Sequence, residues 1–111
     1  MSNTTTTTTT IKPGDIWRSL WGHEQTNVDF YEVTRVTKTM ITLTPLATRD
    51  VYETDMAGHT IPIVGKYDGK PIRRKIKTRY DGEPYASIAN YSMAPIARPW
   101  DGRASYFSTY A

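Results

Sequence analysis

The sequence predicts a small all-β domain, a barrel or a sandwich built from short antiparallel strands. Eight tyrosines and three tryptophans occur among its 111 residues, and aromatic and β-branched side chains suit a half-buried pleated surface. Short apolar runs alternate with turn signals, among them three Asp-Gly pairs, a pattern typical of small barrels and sandwiches. No segment shows the periodicity of an amphipathic helix.

The N-terminal segment differs from the rest of the chain. Seven threonines occupy residues 4–10, and no apolar residue lies between Met1 and Ile11. Such a segment has almost no apolar surface to bury. We therefore expect a disordered tail over residues 1–11 and a single β domain over residues 12–111.

The first half of the domain is predicted to begin with a turn at residues 12–15, where proline and glycine favour one. Trp17 lies inside the first strand and is expected in the core. Ile41 and Leu43 share one face of the third strand, and Pro45 should place the outer end of that strand at a sheet edge. The expected elements are a strand over residues 16–19, a loop over 21–27, a strand over 30–37, a tight connection at 38–39 and a strand over 40–46.

The second half is predicted mainly from its turn signals, since Asp-Gly is a strong signal for a hairpin. Ile72 to Tyr80 alternates basic and other residues, which suits an exposed strand. The expected elements are an edge strand over residues 51–54, an apolar run over 60–64, strands over 72–80 and 85–91, and a last strand near Tyr106 and Phe107, with Asp-Gly turns at 68–69, 81–82 and 101–102.

The opening order of turn, strand, loop, strand, two-residue turn and strand is similar to the start of SH3-like barrels. Within that class, residues 14–46 resemble small domains of phage and mobile-element proteins, whose usual string is Ser-x-Trp-Gly-Tyr-Asp-Gln-Thr-Asn-Val-Asp-Phe-Tyr. Residues 19–22 and 25–31 fit this string, whereas His23-Glu24 replaces the usual Tyr-Asp pair. Residues 91–94 and 100–102 also resemble the set. The resemblance implies an SH3-like antiparallel barrel and a phage or plasmid origin, and it carries no agreed function.

Positive charge is concentrated in one segment. The formal net charge of the chain is +3, but residues 66–79 carry +6 and the remainder carries −3. In a strand, basic side chains at alternate positions share one face at intervals of about 6–7 Å, a spacing that can follow a phosphate backbone. Two flanking tyrosines are candidate platforms for stacked bases. The candidate binding residues of this segment are Lys66, Tyr67, Lys70, Arg73, Lys75, Lys77, Arg79 and Tyr80.

Three interpretations of this basic row remain open. The row could contact nucleic acid, with binding driven by the release of counterions. It could instead be a basic edge strand that prevents edge-to-edge association. It could also dock an acidic protein partner, and an exposed edge strand could pair two copies into a dimer.

A second candidate surface is the polar string that lies between aromatic residues in the segment 21–31. Asn and Asp side chains readily bond to nearby backbone in loops, so the string could simply hold the shape of the loop. It could instead form a recognition loop that contacts a base or a partner side chain. The candidate residues of this recognition loop are Trp21, His23, Gln25, Asn27, Asp29 and Tyr31.

The sequence offers little for catalysis. It contains no cysteine, which excludes disulfides, thiolate metal sites and a cysteine nucleophile. His23-Glu24 begins like the metalloprotease helix motif, but Asn27 stands where the second histidine would be. No serine lies in a Gly-x-Ser-x-Gly setting. We therefore assign no catalytic residue, metal ligand or cofactor, and a small enzyme that uses His23, Glu24 and Asp29 is the least favoured alternative.

These features favour a non-enzymatic binding protein in the cytoplasm of a bacterial host. The N-terminus lacks the pattern of a secretory signal, and no apolar run approaches the ~20 residues of a membrane helix. The expected partner is nucleic acid or a host complex that carries nucleic acid. An anti-CRISPR or anti-restriction role is a hypothesis that rests on small size and on the resemblance. The main alternative is a protein–protein adaptor with no nucleic-acid role.

Overall fold

The computed structural model describes residues 11–22, 26–89, 91 and 94–108. Residues 1–10 of the predicted disordered tail lie outside this part of the chain, whereas Ile11, which was assigned to the tail, packs against the core. Within these ranges the chain forms nine β-strands and no helix, which confirms the predicted all-β class. It follows that no described helix is long and apolar enough to cross a membrane. The strands are β1 (Ile16–Trp21), β2 (Asn27–Val36), β3 (Met40–Tyr52), β4 (Ala57–Tyr67), β5 (Ile72–Lys75), β6 (Lys77–Thr78), β7 (Pro84–Ser87), β8 (Ile96–Pro99) and β9 (Ser105–Ser108).

Antiparallel pairing joins these strands into one sheet, in the order β6-β7-β8-β1-β2-β3-β4-β9, with β5 attached to β3. Strand β3 is the longest, with 13 residues. One of its edges pairs with β2. The other edge pairs first with β5, over Met40 to Leu43, and then with β4, between Leu46 and Tyr52. Strands β4 and β5 therefore lie one after the other along the same edge of β3.

The apolar core comes from alternate positions of neighbouring strands. Directly opposite residues of an antiparallel pair project to the same face, so pairs such as Trp17 with Tyr31 build one apolar surface. Trp17 is 1% exposed, which confirms its predicted place in the core. The buried cluster consists of Trp17, Tyr31, Val33, Ile41, Leu43, Ala86 and Ala97, and Ile11, Val36, Ile72, Ile76 and Ile88 pack against it.

Strand β5 leads to β6 through Ile76, and this passage carries the chain from β3 to β7. The Ile76 N–H donates to the Thr39 carbonyl at 2.9 Å, and the Ile76 side chain packs against the buried cluster. Strand β6 then pairs with β7, where Lys77 lies opposite Tyr85. The prediction of one strand over residues 72–80 is therefore wrong: the run forms two short strands with different partners, on either side of the half-buried Ile76. An SH3-like barrel remains a prediction.

Pro45 lies inside β3, which continues to Tyr52 and pairs along both edges, so the predicted strand end at a sheet edge is wrong. Its carbonyl accepts the Asp68 N–H at 2.9 Å, on the edge where the partner of β3 changes from β5 to β4. The nitrogen of a strand residue faces the same edge as its carbonyl. The missing N–H of Pro45 thus falls where the ladder is already interrupted. Residues 51–52 belong to β3, so they form no separate edge strand.

The second half departs from prediction in further places, and Asp101-Gly102 is one of them, since it connects β8 and β9, which do not pair with each other. Asp68-Gly69 connects β4 to β5 and forms no hairpin turn, because both strands pair with β3 and not with each other. Strand β7 ends at Ser87, short of the expected residue 91, and β8 was not predicted. Only three residues separate Pro95 from Pro99, and β8 consists of these three residues and Pro99. So short a run between two prolines does not indicate a strand in the sequence.

The pairing of β4 with β3 contains a register shift. Leu46 lies opposite Tyr67 while Thr48 lies opposite Pro62, so residues 63–66 have no matching partners on β3. Gly65 has a φ of 85°, a conformation that glycine adopts without steric cost. Val64, inside the unmatched segment, is 68% exposed. It gives this part of the sheet an apolar outer surface.

We predict that Leu43→Ala destabilises the fold far more than Leu20→Ala does. Leu43 is 0% exposed inside the buried cluster, whereas Leu20 is 48% exposed. Removing a buried leucine side chain leaves a cavity and costs about 2–5 kcal/mol of unfolding free energy. Urea unfolding followed by tryptophan fluorescence measures both variants. Equal losses for the two substitutions would contradict the assignment of the core.

Candidate functional site

A cleft of about 560 Å³ opens between β5 and the segment that follows β7. We call it the basic cleft. Four of its lining side chains are cationic, and none of its described lining residues is acidic. One aromatic side chain, Tyr91, contributes to its wall. The lining residues are Met40, Arg73, Arg74, Lys75, Lys77, Ser87, Ala89 and Tyr91.

The pairing of β5 with β3 sets the directions of the cations. Ile72 lies opposite Leu43, and Arg74 lies opposite Ile41. Ile72 and Arg74 therefore project toward the core side and are half-buried, whereas Arg73 and Lys75 project outward and are exposed. Strand alternation thus divides the basic residues of β5 between a structural and an accessible position.

The half-buried Arg74 connects the two walls of the basic cleft. Its Nε donates to the backbone carbonyl of Ser87 at 2.8 Å. Lys77 Nζ donates to the Ser87 hydroxyl at a longer 3.4 Å. Within the described part of the chain, Arg73, Lys75 and Lys77 form no ion pair with a carboxylate. Their positive charge is accordingly available to a ligand.

The remaining residues predicted from the basic segment lie outside this cleft. Lys66 and Lys70 are exposed, on β4 and on the connection to β5. Arg79 is half-buried, and its Nε lies 3.8 Å from Asp81 Oδ1. Tyr80 is 96% exposed, and the Arg79 guanidinium lies 5.7 Å from the centroid of its ring. The structure therefore brings together Arg73, Lys75 and Lys77 of the predicted row and places Arg79 elsewhere.

Tyr67 serves a contact within the sheet. Its hydroxyl donates to Glu32 Oε2 at 3.0 Å. This hydrogen bond, together with desolvation and the negative charge of Glu32, raises the pKa of Tyr67 above its usual value. Tyr67 does not line the basic cleft, where Tyr91 provides the aromatic surface.

The described members of the predicted recognition loop lie in strands, with Trp21 at the end of β1 and Asn27, Asp29 and Tyr31 in β2. The prediction of a loop is therefore wrong for these residues, because β1 and β2 pair as far as Trp21 and Asn27. Trp21 is opposite Asn27, and Ser19 is opposite Asp29. Trp21 Nε1 donates to Asp29 Oδ2 at 2.6 Å, so Asp29 fixes the orientation of the indole ring. Two predicted members, His23 and Gln25, and the neighbouring Glu24 lie outside the described residues.

A small cavity of about 260 Å³ lies between the recognition loop and the basic cleft. Trp21, Asp29 and Tyr31 form one side of it, and Tyr91 lies across from them with three apolar residues. Tyr91 and Ala89 line both this cavity and the basic cleft. The two surfaces that the sequence marks separately are therefore continuous in the folded chain. We call this space the aromatic cavity.

Tyr31 is buried, although the sequence placed it among candidate contact residues. It belongs to the apolar cluster and also lines the aromatic cavity. Burial, and secondarily the negative charge of Asp29, raises the pKa of Tyr31 to about 12. Its phenol therefore stays protonated at neutral pH.

A third cavity, of about 180 Å³, lies on the other side of Trp21 and Asp29 and includes Asn27. Across it, the Thr60 hydroxyl donates to Asp50 Oδ1 at 2.6 Å. The Asn27 side-chain nitrogen is buried without a hydrogen-bond partner among the described residues. This side of the recognition loop is acidic, in contrast to the basic cleft.

The described histidine, His59, lies on the outer face of β4. Its Nδ1 is 2.6 Å from Glu53 Oε1, and its ring meets Tyr106 edge-on at 5.9 Å. Among the described residues, no three His, Cys, Asp or Glu side chains are placed to hold a metal ion together. The alternative built on His23 and Glu24 lies outside the described residues.

Sequence reasoning missed two residues of the site, Arg74 and Tyr91. Because successive side chains of a strand point to opposite faces, the sequence predicted Arg74 on the face opposite Arg73 and outside the basic row. The structure keeps that alternation, but the break at Ile76 brings the residues after β7 against β5. No local signal marks Tyr91, because its role depends on a contact with residues far away in sequence.

No protein-family model matches the chain, and searches of curated proteins and of solved structures found no match.

We predict that Tyr31 titrates later than an ordinary tyrosine. Its pKa of about 12 in the folded chain exceeds the usual 10, so the folded state holds this proton more tightly than the unfolded state does. The resulting stabilisation is complete below pH 10 and is lost as pH rises toward 12. Ultraviolet absorbance of phenolate measures the titration, and circular dichroism at each pH checks that the chain stays folded.

The Tyr31→Phe variant is the matched control for this titration. It should lose the late phase and should show a smaller fall in unfolding free energy across the same pH interval. Because the pKa of Tyr67 is also raised, the readout is the amplitude of the late phase, and an unchanged amplitude in Tyr31→Phe would contradict the assignment.

Proposed function

We propose that the protein is a non-enzymatic binding protein that holds single-stranded nucleic acid in the basic cleft. The observation that carries the proposal is the convergence of four cationic side chains on one cleft whose described lining includes no acidic residue. Folding has gathered these charges from two strands, β5 and β6, which have different pairing partners.

Phosphate groups match the chemistry of this cleft. Lysine and arginine neutralise phosphates and release condensed counterions, which drives binding without sequence preference. Arg73 and Lys75 are exposed on β5, and Lys77 continues the positive surface on β6. A nucleic-acid strand whose phosphate backbone ran along β5 toward β6 would pass all three of these cations.

The aromatic wall favours a single strand over a duplex. Unpaired bases stack on aromatic side chains, and this stacking is available only when bases are not enclosed in a double helix. Tyr91 is exposed and lines the cleft opposite the cations. A positively charged groove with an aromatic platform is the usual arrangement for single-stranded nucleic acid.

Phage or mobile-element origin, a place in the cytoplasm of a bacterial host and an anti-defence role belong to the same proposal. They rest on small size and on the resemblance of residues 19–31 to the phage-associated string. If the role is anti-CRISPR or anti-restriction, cells that express the protein should lose that defence. Full defence activity in such cells would remove this part of the proposal and leave nucleic-acid binding to be tested separately.

A protein–protein adaptor is the second candidate, and the outer face of β3 and β4 favours it. Val51, Ile61, Ile63 and Val64 are exposed there. Exposed apolar patches commonly mark protein contacts. An adaptor of this kind would function independently of the cations of the basic cleft.

We predict salt-dependent binding of single-stranded DNA or RNA that requires the basic cleft. In the triple variant Arg73→Gln/Lys75→Gln/Lys77→Gln, the slope of log affinity against log salt should shrink by about 2, since each phosphate contact on a single strand contributes about 0.7. Fluorescence anisotropy across a salt series, with single-stranded DNA, RNA and duplex DNA, measures this slope.

The matched control neutralises three exposed cations away from the cleft, Lys12→Gln/Arg49→Gln/Arg103→Gln. It changes net charge by the same amount, so it should lose much less affinity than the cleft variant. Equal losses would show that binding follows net charge and not the cleft. Absence of binding for all three nucleic acids would overturn the proposal in favour of the adaptor.

A further inference from the structure

The aromatic cavity differs from the basic cleft in the charge of its lining. Its described charged residue is Asp29, a carboxylate. A phosphate group would be repelled there, although it is attracted to the cations on the other side of Tyr91. The two adjoining spaces therefore select different parts of one ligand. Phosphates fit the basic cleft, and an uncharged group with hydrogen-bond donors fits the aromatic cavity.

The walls of the aromatic cavity suit a flat ring. Trp21, Tyr31 and Tyr91 contribute aromatic surface, and Pro95 and Ile88 contribute apolar surface. At about 260 Å³ the cavity is slightly smaller than the roughly 300–1,000 Å³ usual for drug-sized ligands. This space fits one ring system better than a whole nucleotide. Because Tyr91 borders both spaces, a base can enter while its phosphates stay in the basic cleft.

The cavity contains a carboxylate acceptor held in place, Asp29, and a buried hydroxyl, that of Ser19. Asp29 Oδ2 already accepts the Trp21 indole N–H at 2.6 Å, which fixes the carboxylate, and an ionised carboxylate has about four acceptor sites. Ser19 lines the same cavity, is 1% exposed, and its hydroxyl has no hydrogen-bond partner among the described residues. A buried polar atom of this kind is costly unless a partner meets it.

Guanine matches a fixed carboxylate better than the other bases do. Its Watson–Crick edge presents the N1–H and an N2 amino group side by side, and two adjacent donors can bond to the two oxygens of a carboxylate. Adenine and cytosine present a single amino group on that edge, and thymine and uracil present a single N–H. Asp29 therefore favours guanine among the unpaired bases.

We propose that the aromatic cavity is a guanine-selective base pocket, in which an unpaired guanine stacks against Trp21 and Tyr91 and donates to Asp29. This inference rests on the proposed binding of single-stranded nucleic acid in the basic cleft and adds base selectivity to it. The cleft supplies affinity that does not depend on sequence, and the pocket chooses the base.

The test compares oligothymidines of about 12 nucleotides, a usual length for one single-strand site, that differ only at the central base. The central base is guanine, inosine, adenine or thymine, and fluorescence anisotropy at one fixed salt concentration measures the affinities. The guanine probe should bind roughly five- to 150-fold more tightly than the thymine probe, the range of one bidentate contact. Inosine, which lacks the N2 amino group, should lose most of that preference.

Two variants tie the preference to this cavity. Asp29→Asn keeps the shape of the side chain and an acceptor for the Trp21 indole, but it replaces one acceptor with a donor. It should abolish the preference for guanine while retaining the affinity for the thymine probe. Tyr91→Ala should weaken binding of every probe, because stacking on this ring does not depend on the base. Circular dichroism confirms that both variants are folded.

The possible failures separate the two proposals. Equal, salt-dependent binding of all four probes would overturn the guanine pocket and leave the basic cleft supported. A guanine preference that persists in Asp29→Asn would also overturn this pocket. Absence of binding for every probe, made both as DNA and as the corresponding oligouridine RNA, would overturn both.

Discussion

Strand β3 exchanges backbone hydrogen bonds with β2 along one edge, and with β5 and then β4 along the other. This double pairing fixes which residues of four strands face the core. It places Ile41 and Leu43 inside the apolar cluster, and through them it aligns Ile72 and Arg74 of β5. Both the core and the basic cleft therefore depend on the register of β3, since a shift by one residue would reverse the faces of the strand.

The basic cleft depends on where one half-buried apolar side chain, Ile76, lies in the chain. Ile76 interrupts the most basic run of the sequence, and its packing against the core turns the chain from β3 toward β7. Without that interruption, the cations would lie along one straight strand. With it, the cations on β5 and β6 face residues that follow β7, and the flat row becomes a cleft with two walls.

Much of the fold could be predicted from the sequence, because strand-forming residues and turn signals are local. The all-β class, the buried Trp17 and the strands around residues 16–19 and 40–46 follow from such signals. The division of residues 72–80 into two strands could not be predicted, because Ile76 packs against a core that distant strands assemble. For the same reason the basic segment was identified by its charge, while Arg74 and Tyr91 were not identified as parts of one cleft.

The Arg74 side chain has a mechanical consequence. Strands β5 and β7 share no backbone ladder among the described residues, and the Arg74 guanidinium bonds to the Ser87 carbonyl across the gap between them. One flexible side chain restrains two strands less than a row of peptide hydrogen bonds does. We therefore expect β5 and β7 to move relative to each other more easily than paired strands do. A polyanion that touched cations on one wall and Tyr91 on the other would bridge β5 and the segment after β7, and would thereby reduce the relative motion of the two walls.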